Sequence, residues 1–240
     1  MIVNTYGIVL STVRYSDSAV IAKVYTEVSG LKSLMVRTGK GKSAIMKMSA
    51  LQPLTLVNLS FDNTDRKGLR TPRSFERAEP LKAIPFDTVK TCIALFMAEV
   101  VARAIAEEEA NEKLFNFLKS SILMLDRETK SVSNFHLKFM IEFSSYLGFQ
   151  PADNYSNQHY FDLVEGEFTN SDVLHAYVIQ EPTLSFFLQL MRVPFADHAQ
   201  PRPAGTSRKQ VLQHLVDYYR LHLEGMKEIT SHKVLEEVMA

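Results

Sequence analysis

Between Pro80 and Pro85 the hydrophobic pattern changes its period, from two residues before the prolines to 3.6 after them. Alternation at two suits strands and 3.6 suits amphipathic helices, so the chain is expected to hold a strand-built part, 1–80, and a helix-built part, 81–240. With 240 residues, neither part needs disulfides to bury a core.

In the first part, residues 5–13, 18–27, 31–38 and 53–61 are rich in Val, Ile, Leu, Tyr and Thr, and turn formers separate them. A fifth strand is expected at 73–79. In the second run Val20, Ala22 and Val24 share one face while Ile21, Lys23 and Tyr25 share the other, and both faces are partly apolar. Several short strands in so few residues predict a small closed barrel, because closure removes exposed edges.

The second part reads as helices. Val89, Ile93, Phe96, Met97, Val100, Val101, Ala104 and Ile105 form one apolar face. Asn111 is placed to cap a helix carrying Leu114, Phe117, Leu118, Ile122 and Leu125, and Gly148 to end one carrying Phe135, Phe139, Phe143 and Leu147. Residues 149–179 break the pattern, with a hairpin expected about Glu165-Gly166. A short helix follows Pro182, a loop holds Pro194, Pro201 and Pro203, and Ser207 with Gln210 predicts a capping box for a helix through Tyr218, Tyr219 and His222. A last short helix is expected at 233–239.

Charge is divided unevenly. Residues 1–80 carry 12 Lys plus Arg against 6 Asp plus Glu, a balance of +6, and residues 81–240 carry 15 against 21, a balance of −6. No acid falls between Glu27 and Asp62, where Lys32, Arg37, Lys40, Lys42 and Lys47 lie. An acid-free cationic run in a β-rich module is a footprint for nucleic acid, since bound phosphates release counterions.

Catalytic motifs are missing. Gly39-Lys-Gly-Lys-Ser43 resembles the end of a phosphate loop, but Val36 stands where that motif needs its first glycine. The seven histidines include no His-Glu-x-x-His pair, there is no Gly-x-Ser-x-Gly elbow, and the acidic triplet 107–109 spreads its carboxylates around a helix. The sequence therefore points away from an enzyme. The single cysteine, Cys92, excludes an intrachain disulfide. With no leader-like N-terminus and no apolar run of membrane-spanning length, the expectation is a soluble, cytoplasmic protein without membrane contact.

In order and spacing the chain resembles the RecO family of bacterial recombination mediators along essentially its whole length. The resemblance is carried by Tyr6-Gly-Ile-Val-Leu10, Asp17 to Tyr25 running into Thr26-Glu-Val-Ser-Gly30, Leu51-Gln-Pro-Leu54, the helix 92–109 leading into 111–125, and 139–151 with Tyr146-Leu-Gly148. It implies an α+β protein with an N-terminal OB-fold β-barrel, 1–80, followed by an α-helical domain, 81–240, that carries a small β-hairpin insert. It further implies binding of single- and double-stranded DNA, annealing of complementary strands, and work with RecR and single-stranded-DNA-binding protein (SSB) to load RecA. Many members hold zinc through four cysteines in the insert; here 149–178 contains none, and His159 and His175 alone do not complete a zinc site, so no metal is expected.

On this reading Lys32, Arg37, Lys40, Lys42 and Lys47 contact phosphates and Arg66, Lys67, Arg70 and Arg73 widen the track, while Tyr6, Tyr15, Tyr25 or Phe61 are candidates for stacking bases. Strand alternation puts Lys32 and Arg37 on opposite faces, which shifts the weight to Lys40, Lys42 and Lys47 as loop lysines. In the helical part, the resemblance implies capture of the acidic, Phe-ending SSB tail, with Lys138 as carboxylate clamp and Lys113 and Lys119 framing the groove. The alternative from another class is a scaffold whose barrel binds only proteins or RNA.

Overall fold

A computed structural model describes residues 2–39, 42–62, 68–105, 109–171, 173–195, 201 and 207–239, with 42–45 described in backbone only. Lys40, Arg66, Lys67, Glu107, Glu108 and Pro203 lie outside the described residues. Two compact units are present, Met1–Arg127 and Glu128–Ala240.

The first unit contains β1 (Ile2–Ser16), β2 (Ala19–Thr26), β3 (Gly30–Arg37), α1 (Lys42–Ala50), β4 (Leu56–Asp62), β5 (Ser74–Arg77), α2 (Thr88–Ala104) and α3 (Glu112–Arg127). Its strands form an antiparallel sheet in the order β3-β2-β1-β4-β5. The sheet closes where Met35 N–H donates to the Arg70 carbonyl (2.6 Å) and Arg70 N–H donates to that of Ser33 (3.1 Å). Closure by this short parallel bridge gives the five-stranded, partly open barrel of an OB-fold. The strands fall where alternation predicts them. Helix α1 does not: the stretch was expected as a turn and loop, although Ala44, Met46, Lys47 and Met48 are all strong helix formers.

Val20, Ala22 and Val24 point into the barrel with Leu34, Val36, Val57, Leu59, Phe61 and Phe75. Gly7 sits at the tightest crossing, where a Cβ would come within 2.6 Å of Val24 Cγ1 and 2.8 Å of Leu59 Cδ2. The second apolar face of β1 and β2 is covered by helices: α2 packs on β1, and the Tyr25 ring lies 6.3 Å from Phe115 of α3. The period change at 80–85 therefore falls inside the first unit. Asp126, near the end of α3, fastens this connection by accepting the backbone N–H groups of Lys82, Ala83 and Ile84 at 2.8, 2.8 and 2.9 Å. Burial raises the pKa of that carboxyl, but the three hydrogen bonds and the Lys90 ammonium outweigh it and hold the group below the usual carboxylate range. As expected, Asn111 caps α3, its Oδ1 accepting from Leu114 N–H (3.0 Å).

The second unit contains α4 (Phe135–Leu147), β6 (Tyr160–Asp162), β7 (Glu167–Thr169), β8 (Val178–Ile179), α5 (Thr183–Arg192), α6 (Ser207–His222) and α7 (Ser231–Val238). Gly148 ends α4 in the left-handed region, φ 87°. The hairpin about Glu165-Gly166 is present, and β8, too short to show a period, adds a third strand in the order β7-β6-β8. Gln210 accepts from Thr183 Oγ1 (2.7 Å) and ties α6 to α5.

Aromatic packing and carbonyl-directed hydrogen bonds hold the insert. Phe149 stacks on His222 at 5.4 Å with rings 4° apart, and Phe161 meets Phe168 and Phe187 at 4.9 Å each. Tyr218 OH donates to the Phe149 carbonyl (2.7 Å) and His222 Nε2 to that of Leu163 (2.9 Å). Asn154 brackets β7, its Oδ1 accepting from Phe168 N–H (2.9 Å) and its Nδ2 donating to the Phe168 carbonyl (3.2 Å). No group of three or more His, Cys, Asp or Glu able to hold a metal occurs among the described residues; His175 instead lies 3.4 Å from Asp162. This donor set does not fit a closed zinc site, which takes about four ligands.

His136 is wholly buried in α4, and burial together with the nearby Arg208 charge holds its pKa down to about 3. The imidazole is neutral in the fold but takes up a proton in the unfolded chain below about pH 6.5. Stability is therefore complete above that pH and falls as the pH drops toward 3, by up to about 1.4 kcal/mol per pH unit from this group. Urea unfolding of wild type and His136→Phe at pH 7, 6 and 5 should show a shallower pH dependence in the variant by about one proton.

Candidate nucleic-acid interface

Where the barrel is only partly closed, the end of β3, helix α1 and the segment 71–77 enclose a groove of about 850 Å³. Its cations are Arg37 from β3, Lys47 from α1, Arg73 just ahead of β5 and Arg77 at the end of β5, with Glu76 as the carboxylate in the wall. Strand alternation explains the last pair: Phe75 is buried in the barrel core, so Arg73 and Arg77 flank it on the same face.

Backbone carbonyls position two of these cations. Lys47 Nζ donates to the Arg37 carbonyl (3.1 Å), joining α1 to β3, and Arg77 donates through one guanidinium nitrogen to the Ser49 carbonyl (2.9 Å) in the last turn of α1. Cations at a helix C-terminus satisfy its open carbonyls and complement its dipole. Each contact uses one donor of a side chain that has three or five, so the remaining N–H groups can meet phosphate. Arg73 is more committed: it forms a forked pair with Asp62 at 2.9 and 3.2 Å, half-exposed on both sides.

Of the residues expected to contact DNA, the structure thus gathers Arg37, Lys47 and Arg73, and it adds Arg77. Lys47 is a helix residue rather than a loop lysine, and Arg37, given less weight from sequence, lines the groove. Lys32 shares the face of Leu34 and Val36, opposite to Arg37 as alternation predicts, and does not line it. Arg70 is drawn to the closure, its guanidinium 5.8 Å above the Phe61 ring. Lys42 opens α1, and its side chain lies outside the described residues. Arg77 was missed because it sits beyond the acid-free run, between Glu76 and Glu79; the alternation Arg73-x-Phe75-x-Arg77 is the signal that could have found it.

The aromatic candidates divide. Tyr25 and Phe61 are core residues with 1% and 0% exposure, because the first packs under α3 and the second fills the barrel. Tyr6 is half-exposed, with Lys119 Nζ 4.6 Å from its ring centroid. Tyr15 is 63% exposed near the β1–β2 turn and does not line the groove.

Lys138 needs correction. It is 2% exposed in α4, and its ammonium donates to the carbonyl of Pro194, just past α5; it is not the accessible cation that a carboxylate clamp requires. Asn134 donates to the Pro201 carbonyl (2.7 Å) while accepting from Arg208 Nε (3.0 Å). Lys113 is exposed on α3, and Lys119, also on α3, lies 3.8 Å from Glu79. Both belong to the first unit, and Lys138 belongs to the second. No helix among the described residues is long and apolar enough to cross a membrane.

Two family profiles cover nearly the whole chain: Recombination protein O N terminal matches residues 1–81 and Recombination protein O C terminal matches 85–229. Similar curated proteins carry the name DNA repair protein RecO. That of Bacteroides fragilis is 38% identical with 99% of each chain covered, that of Flavobacterium psychrophilum 31% with 100% of each, and that of Porphyromonas gingivalis 31% with 98% of each.

Replacing the buried ammonium of Lys138 by a carboxylate would set a negative charge against a carbonyl oxygen. Lys138→Glu should destabilise the protein by roughly 3 kcal/mol or more, whereas Lys113→Glu should leave thermal unfolding within about 0.5 kcal/mol of wild type, as read by circular dichroism.

Proposed function

The chain belongs to the RecO family of DNA repair and recombination proteins, and from that membership we propose that it is a non-enzymatic recombination mediator acting through its barrel. In this role it binds single- and double-stranded DNA, anneals complementary strands and, with RecR, helps load RecA onto SSB-coated single strands. The observation that carries the DNA-binding part is the groove on the open side of the barrel, with Arg37, Lys47, Arg73 and Arg77 around it. Cations spaced along one groove suit a polyanion, and the release of counterions makes such binding strongly dependent on salt.

The proposed setting is the cytoplasm, beside the nucleoid. The SSB tail remains a proposed partner, with its terminal carboxylate met by a surface cation other than Lys138. No cofactor is proposed, since aromatic packing and side-chain hydrogen bonds hold the insert. A chelator such as EDTA should accordingly leave the melting temperature unchanged, and elemental analysis of the purified protein should find no stoichiometric zinc.

The test of DNA binding is the triple variant Arg37→Ala, Lys47→Ala, Arg77→Ala, which leaves the Arg73–Asp62 pair in place. It should weaken binding of a labelled strand whatever its sequence and flatten the plot of log affinity against log salt by about 2 to 3 units, with its fold verified by circular dichroism. An unchanged slope moves the site elsewhere. Absence of salt-sensitive binding by the wild type favours the protein-interaction scaffold.

A further inference from the structure

We propose that the groove grips a polynucleotide by its sugar-phosphate backbone alone, leaving the bases unstacked on protein and open to pairing with a second strand. This deepens the DNA-binding reading above and rests on it. OB barrels that hold single strands commonly supply aromatic rings for successive bases to stack on, each worth about fivefold to more than a hundredfold in affinity. Among the described residues the groove offers four cations and no open ring: the one aromatic residue in its described lining, Phe75, is 6% exposed and turned into the barrel core.

The other rings of the barrel are disposed elsewhere. Tyr25 lies beneath Phe115, Phe61 fills the interior, Lys119 lies against the ring of Tyr6, and Tyr15, exposed near the β1–β2 turn, is outside the groove lining. The segments 40–45 and 63–67, whose side chains lie outside the described residues, contain no aromatic residue in sequence.

Guanidinium and ammonium groups meet phosphate oxygens without regard to base identity, and a duplex presents the same oxygens as a single strand. A strand held this way keeps its base edges outside the contact, which is the state a complementary strand must find in order to anneal.

The experiment compares a fluorescein-labelled oligothymidylate with an abasic strand of equal length, made of the same backbone with tetrahydrofuran in place of every nucleoside, both titrated with the full chain at two salt concentrations. The two affinities should agree within about twofold, with equal salt slopes, and the triple variant should weaken both alike. An abasic strand that binds tenfold or more weakly overturns the proposal, because bases then carry part of the affinity. A second readout is the permanganate reactivity of the bound thymines. Reactivity equal to that of the free strand supports the proposal, and protection by stacking overturns it. If neither strand shows salt-sensitive binding to the wild type, the DNA reading of the groove itself has failed, an outcome distinct from a difference between the strands.

Discussion

The first unit depends on how its sheet closes. Four strand pairs are extended ladders, but among the described residues β3 meets the segment ahead of β5 through the single bridge between Leu34 and Arg70. Had β3 and β5 paired along their lengths, the barrel would be sealed and no groove would exist. With closure limited to one bridge, α1 fills part of the gap, and the side chains at its margin must satisfy carbonyls that a full ladder would have paired. Lys47 does this on the Arg37 carbonyl at the end of β3, and Arg77 satisfies the carbonyl of Ser49 that the end of α1 leaves open. The cationic character of the groove thus has a structural origin before it has a ligand.

That double role explains what could be read from sequence. Period and turn chemistry located the four main strands, most helices, the caps at Asn111 and Gly148 and the hairpin at Glu165-Gly166, because each follows from spacing along the chain. Helix α1 was hidden by Gly39 and Gly41, whose turn signal outweighed the propensity of the residues after them. Arg77 was hidden by composition, since the basic run was bounded by its lack of acid and Arg77 has acidic neighbours. Lys138 misled for the opposite reason. A lysine among apolar neighbours on a helix reads as a surface residue with a snorkelling tail, and only the fold shows the Pro194 carbonyl waiting for it.

In the second unit, polar side chains hold irregular backbone where a regular ladder cannot. Lys138 and Asn134 reach the carbonyls of Pro194 and Pro201, residues that lack the N–H donor a ladder needs. Asn154, Asp162 and His222 serve the insert in the same manner: Asp162 accepts from Val164 N–H (2.8 Å), and His222 donates to the carbonyl just before it, that of Leu163. Buried carbonyls and N–H groups must find partners, and short strands of two or three residues leave many of them open.

The aromatic fastening of the insert also sets an order of events during synthesis. A cysteine-bound metal would close the insert from residues within it, as soon as those residues had been made. Here the wall is Tyr218 and His222, which follow Phe149 by 69 and 73 positions, so the hairpin must emerge from the ribosome long before the surface it packs on. Until α6 has been translated, Phe161 and Phe168 lack part of their cover, and the insert becomes a late-folding element whose completion waits for α6.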